Sequence, residues 1–276
     1  LRRECQDVGN ACDVLTIPHN SNLSNGLMFA VTGRDLPLEE QRSRALLRAD
    51  IERLVEISQI KGDSECRNGM YQVLGEPDEF CEFEDEAGDL CADDGADPDT
   101  CQNECDPLYP NTLVNEYTDG DGVVHEAVKG CQASHDYVRN AMKEGLVQSE
   151  RLGFNPFEQG FIGSTDSHAG LPGNTEEYPY PGTHGYMDDT PKEQADSGAS
   201  ILGNIINPGG LAGVWAEENT RESLFAAMKA KETFATSGTR ITTRFFGGWD
   251  FPEDMCDSDE LVSTGYSDGV PMGGTL

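Results

Sequence analysis

The chain has 276 residues, 36% hydrophobic and 25% charged, a globular composition long enough to bury one sizeable core. Nineteen Lys and Arg stand against 51 Asp and Glu, a formal net charge of −32 whose field repels phosphate backbones and excludes a nucleic-acid partner. No apolar run approaches the ~20 residues of a membrane span.

In chain order, "CDVLTIPHNSNLSNG" predicts a strand over residues 14–17 that ends in a polar loop at His19. "LEEQRSRALLRADIERL" is rich in good helix formers of mixed charge, and predicts a helix. "LVEISQIKG" reads as a strand closing at Lys61 and Gly62. Next comes an acidic excursion: residues 68–128 contain no Lys or Arg, and residues 76–106 hold fourteen carboxylates. Its Gly, Pro and Asp content suits a loop without a core of its own. "SHDYVRNAMKEGLVQSERLG" predicts a helix with Ser134 as N-cap and Gly153 as stop. "GFIGSTDSH" is a third strand, followed by a Gly/Pro-rich loop over residues 169–210. "LAGVWA" is a fourth strand, "NTRESLFAAMKAKE" a helix capped by Asn219 or Thr220, and "RITTRFFGGWDF" a longer strand. Strands alternating with helices predict an α/β fold of parallel strands joined by crossover helices.

Ligands in such folds gather beyond the carboxyl ends of the strands. His19, Lys61, Asp166 and His168 all stand at those ends. Residues two apart in a strand share a side, so Asp166 and His168 are expected to converge on one point, as a metal or proton-transfer site requires. Imidazole plus carboxylate suits Zn²⁺, Mn²⁺ or Fe. The plainer alternative is a surface turn in which Asp166 caps a backbone N–H. With His19 the set has three donors, short of the about six that a two-metal hydrolase needs. Lys61 is placed either to hold a phosphate or carboxylate of the substrate or as a snorkelling surface lysine. Gln59 shares its side by alternation, whereas Glu56 and Ser58 face away; Glu65 is a weaker candidate for the same mouth. Asn20 and Asn22 either position substrate or hold their loop. Glu217 and Glu218 suit a helix start. "DGDG" and "ADDGADPD" lack the EF-hand ligand spacing, which argues against calcium.

Of nine cysteines, Cys81, Cys91, Cys101 and Cys105 lie in the acidic tract, and Cys66 and Cys131 flank it. No C-x2-C pair occurs, so disulfides are favoured over a zinc ribbon, and with them an oxidising compartment, periplasmic or secreted. Sequence leaves the connectivity open.

"IPHNSNLSNGLMF", "LVEISQIKGDSE", "ERLGFNPFEQGFIGSTDSH", "GLAGVWAEENTRESLFAAMKAKETFATSGTRI" and "RFFGGWDFPEDM" together resemble the domain-of-unknown-function family numbered 3604. That family is similar to a branch of the polymerase-and-histidinol-phosphatase (PHP) superfamily of metal-dependent phosphoesterases. The resemblance implies a distorted (β/α)7 barrel binding two or three divalent metals at its strand ends. It makes His19 the histidine of a "PH" motif, and Asp166 and His168 the final D-x-H pair, both catalytic and metal-ligating. Lys61, Gln59, Asn20 and His184 would line a small-molecule substrate. Residues 1–240 would form the C-terminal part of the barrel, residues 62–131 its acidic insertion, and residues 241–276 the start of a C-terminal β segment.

The superfamily's earlier ligands, an H-x-H pair, a Glu and another His, are missing from the eighteen residues before His19. A piece of a longer protein, inactive alone, is therefore expected. His125, His135 and His184 are possible substitutes, although His135 reads as the solvent face of a helix start. The activity implied is metal-dependent hydrolysis, most simply of a phosphoester. A carboxyl-ester or lactone hydrolase, and a non-catalytic secreted acidic module with a vestigial metal site, are the alternatives.

Overall fold

A computed structural model describes residues 5, 12–24, 26–29, 36–66, 81, 116–118, 124–126, 134–176, 180, 182–183, 190–192 and 207–276. Among them are four α-helices, α1 (Leu38–Ile51), α2 (Val138–Leu152), α3 (Arg221–Ala230) and α4 (Leu261–Asp268). The strands are short: β1 (Leu54–Gln59), β2 (Gly62–Asp63), β3 (Glu116–Thr118), β4 (Val124–Glu126), β5 (Gly160–Gly163), β6 (Leu211–Val214), β7 (Thr233–Thr236), β8 (Phe246–Gly247) and β9 (Val270–Pro271).

The core forms where α2 lies against β1 and β5. On α2, Val138, Ala141, Gly145, Gln148 and Leu152 are buried, one stripe at helical spacing. Val138 and Ala141 join Phe29, Val55 and Phe157, with Met28, Ile57, Met142 and Phe161 packed around them. Phe29 and Phe157 meet edge to face, centroids 5.8 Å apart, and the Arg48 guanidinium of α1 lies 4.7 Å from the Phe157 ring centre. Helix ends follow local chemistry. Gly153 closes α2 at φ 80, a left-handed conformation that glycine adopts without a Cβ penalty. Thr220 caps α3 by accepting the Ser223 N–H at 3.3 Å. Ser134 does not cap α2: it sits in a 3₁₀ turn (Ser134–Asp136), and Tyr137 precedes the helix without a side-chain cap.

The strands do not close into a (β/α)7 barrel. They form one three-stranded sheet in the order β2-β1-β5 and three two-stranded sheets, β3-β4, β6-β7 and β8-β9. The β1–β5 pair is parallel, as alternation predicts, but β2 folds back antiparallel onto β1 and occupies its other edge. The pair β6–β7 is antiparallel, with Val214 opposite Thr233. The reason lies in where α3 delivers the chain. Lys231 ends the helix in a left-handed turn at φ 65, and Glu232 O accepts the Trp215 N–H at 2.9 Å, so β7 starts where β6 ended. Two other expectations fail. Residues 14–17 form no ladder; they run extended beside α1 and β1, through Thr16 N–H to Ile51 O and Glu56 N–H to Pro18 O. The strand expected in "RITTRFFGGWDF" is reduced to the two residues of β8.

The C-terminal residues dock back on the sheet region. Glu158 accepts from the buried Lys231 ammonium at 2.8 Å and from Thr275 Oγ1 at 3.0 Å, and both bonds hold its carboxyl below the usual range, Lys231 first. Disulfides join Cys5 to Cys12 and Cys66 to Cys81, while Cys256 is an exposed thiol. The second bridge fastens the acidic tract to the chain just after the β1–β2 hairpin. Cys91, Cys101, Cys105 and Cys131 lie outside the described residues, as does most of the insertion expected over 62–131. No helix among the described residues is long and apolar enough to cross a membrane.

Candidate active site

The loop after residues 14–17 is held by its asparagines. Asn20 and Asn22 are buried; the Asn20 amide donates to Gly62 O, and the Asn22 amide donates to Lys61 O at 2.6 Å and Asp63 O at 3.2 Å. In return, Lys61 Nζ donates to Asn20 O at 2.5 Å, Asn20 Oδ1 at 3.3 Å and Asn22 Oδ1 at 3.2 Å. An ammonium has three donors, and each has a protein acceptor. Lys61 is thus tied back into the fold rather than snorkelling into solvent; it is the post on which this loop is held.

Burial lowers the Lys61 pKa from the ordinary 10.5 to about 8, against the opposing pull of Glu56, Asp166 and Asp136. The folded protein therefore binds this proton less tightly than the unfolded chain. The group lowers stability below pH about 8, and that deficit disappears as pH rises toward 10.5. At 1.36 kcal/mol per pKa unit, the difference in unfolding free energy between wild type and Lys61→Met is expected to swing by about 3 kcal/mol in favour of wild type across that window. Urea titrations at several pH values measure it, and a difference independent of pH would refute the burial of a charged Lys61.

Glu56 is the residue that sequence alternation misplaces. The β1–β5 register runs Glu56 opposite Ile162 but Ser58 opposite Gly163, so Ile57 is an extra residue in a bulge. The bulge resets the alternation, and Glu56 turns toward Gln59 instead of away from it. Glu56 is 6% exposed. Its Oε2 accepts the Asn20 N–H at 2.7 Å and Gln59 Nε2 at 3.0 Å, and its Oε1 accepts Ser164 Oγ. Three segments therefore converge on one buried carboxylate: the His19 loop, β1 and the continuation of β5. A carboxylate set between Val55 and Ile57 of a strand was the available signal.

Beyond β5, Asp166 Oδ1 lies 3.7 Å from His168 Nε2, with side chains 41% and 60% exposed. The pair does converge, but not by strand alternation, since β5 stops at Gly163. Asp166 adopts φ 50, a left-handed conformation uncommon outside glycine, and that turn brings the imidazole back over the carboxylate. The His168 N–H is anchored to Thr183 O at 2.7 Å. On the other side of Asp166, the Ser164 N–H bonds Ser58 O at 2.9 Å and Ser164 O accepts the Gly210 N–H at 2.7 Å.

The remaining expected residues are distributed unevenly. His19 is exposed, between Pro18 and Asn20, whose backbone groups both bond Glu56. Among the described residues no group of three or more His, Cys, Asp or Glu could hold a metal ion, so His19 does not close a cluster with Asp166 and His168. The donors fit a metal in kind and fall short in number. His184 lies outside the described residues. His135 is buried, not on a solvent face. His125 pairs across the β3–β4 ribbon with Tyr117. Glu65 is engaged by Arg139 in an exposed ion pair at 2.5 Å.

No curated protein and no solved structure matches the chain. A family model does, over residues 1–106 and 109–276, so the matched segments contain every residue of the site just described. The chain belongs to the family described as "Protein of unknown function (DUF3604)".

Proposed function

We propose that this protein is a metal-dependent hydrolase of the PHP superfamily type, acting on the phosphoester of a small molecule. The observation that carries the reading is the Asp166–His168 pair, 3.7 Å apart in the turn that follows parallel strand β5, with Asp166 at φ 50. A left-handed turn that brings two exposed, chemically competent side chains together suits a functional site. A divalent Zn, Mn or Fe ion bound there, one of two or three in the complete site, would supply water acidic enough to give hydroxide at neutral pH. The chain's own residues do the rest. Asp166 and His168 would hold that ion, the carboxylate and the imidazole as two of its ligands, on a face open to solvent where a substrate would reach it. Lys61 contributes a positive charge held close to Asp166, with Asn20 and Gln59 keeping it and Glu56 in place. The disulfides support a periplasmic or secreted setting, where such bridges persist.

A second reading, a non-catalytic acidic module, draws on the absence of a three-donor cluster among the described residues. The two separate on one assay. The protein expressed from its whole reading frame is offered an aryl phosphate and an aryl acetate, with Mn²⁺ or Zn²⁺ and with chelator. Metal-dependent release from the phosphate supports the proposal; release from the acetate alone moves the activity to carboxyl esters. No turnover of either, with or without metal, favours the module.

A further inference from the structure

A buried carboxylate is expensive unless its partners justify it, and the partners of Glu56 are informative. All three are neutral donors, and each comes from a different piece of chain. The backbone N–H of Asn20 adjoins His19. Gln59 Nε2 belongs to β1 itself, beyond the bulge. Ser164 Oγ lies two residues before Asp166 and four before His168. A packed apolar side chain would serve the sheet about as well, because three neutral donors and the nearby Lys61 charge do no more than offset the cost of desolvating a carboxylate. What an apolar residue cannot do is hold the His19 loop and the Asp166 turn to the same pair of oxygens.

We infer that Glu56 is a positioning residue that fixes the His19 loop and the Asp166–His168 turn relative to each other. The inference rests on the proposed hydrolase site for its purpose, and on the three hydrogen bonds for its geometry. It explains the bulge at Ile57, without which strand alternation would turn Glu56 away from Gln59. It also explains how His19 is tied to β5 while making no cluster with His168 by itself.

The test reads both imidazoles directly. In ¹⁵N-labelled full-reading-frame protein, the His19 and His168 ring resonances are compared in wild type, Glu56→Gln and Ser164→Ala. Both substitutions are expected to move both rings while most of the amide spectrum stays in place. The decisive signal is His19 in Ser164→Ala, because Ser164 lies on another segment and reaches that loop through Glu56. An unmoved His19 ring in that variant overturns the coupling, and so does a Glu56→Gln protein that folds with both rings unchanged. If Glu56→Gln does not fold, Ser164→Ala decides alone. A parallel Mn²⁺ titration separates this claim from the hydrolase reading: with a metal site present, Glu56→Gln is expected to weaken Mn²⁺ about ten- to hundredfold, as loss of a supporting hydrogen bond does. Wild type that binds no Mn²⁺ sinks the metal reading, while the ring resonances still decide the role of Glu56.

Discussion

Asp166→Ala is expected to lower metal-dependent hydrolysis by about 10³-fold, the scale of losing a group that acts at the reacting centre. Two effects act together in that variant, and Asp166→Asn separates them. Alanine loses the carboxylate and must also hold φ 50, which costs about 1–2 kcal/mol for a residue with a Cβ and no polar side chain to bond locally. Asparagine tolerates the left-handed conformation and keeps the shape, but lacks the negative charge that would hold the metal. Asp166→Asn should therefore unfold in urea near the wild-type midpoint and be as inactive as Asp166→Ala. An asparagine variant with more than half of wild-type turnover would reduce Asp166 to a turn residue.

The second large effect is expected at Gly209, which lies outside the chemistry and beneath it. Gly209 adopts φ 79, and a Cβ there would stand 2.8 Å from Thr165 Cα and 2.9 Å from Ser164 O. Those are backbone atoms, so no rotamer change relieves the clash. Strain and overpacking together put Gly209→Ala at about 3 kcal/mol of lost stability. The same contact predicts a functional loss, because Ser164 and Thr165 lead directly into Asp166. Equilibrium unfolding should show a lower midpoint with an unchanged slope, and residual folded protein should turn over more slowly than wild type. A loss below about 0.5 kcal/mol, the range of ordinary surface substitutions, would mean the 164–165 and 209–210 segments are not packed as described.

The helices were legible because their signals are local. α1, α2 and α3 are rich in good helix formers, and Gly153 by its left-handed backbone and Thr220 by its hydroxyl mark an end of α2 and of α3. Strands β1, β5 and β6 were legible as apolar runs. Their assembly was not, because alternation of strands and helices predicts parallel pairing only if each helix carries the chain back past the strand. Around α3 it does not: the left-handed turn at Lys231 releases β7 beside the end of β6. Strand β7 itself, "TFAT", was hidden by the longer β-rich run that follows it. At the site, Asp166 and His168 were found for an incomplete reason, since a turn rather than a strand brings them together. Glu56 was missed because one bulge residue inverts every later inside–outside assignment, and periodicity cannot register an insertion it does not expect. Lys61 was located at its strand end, but only the three oxygen acceptors around it reveal that its protons are already committed.

Metal content tests the central claim most directly. Elemental analysis of the protein expressed from its whole reading frame, purified without chelator, is set beside the same measurement on Asp166→Ala. The expected result is Zn, Mn or Fe bound stoichiometrically in wild type, with at least one equivalent lost in the variant and hydrolysis lost with it. A wild-type protein that is free of metal and hydrolyses the aryl phosphate at full rate would contradict a metal-dependent site at Asp166 and His168.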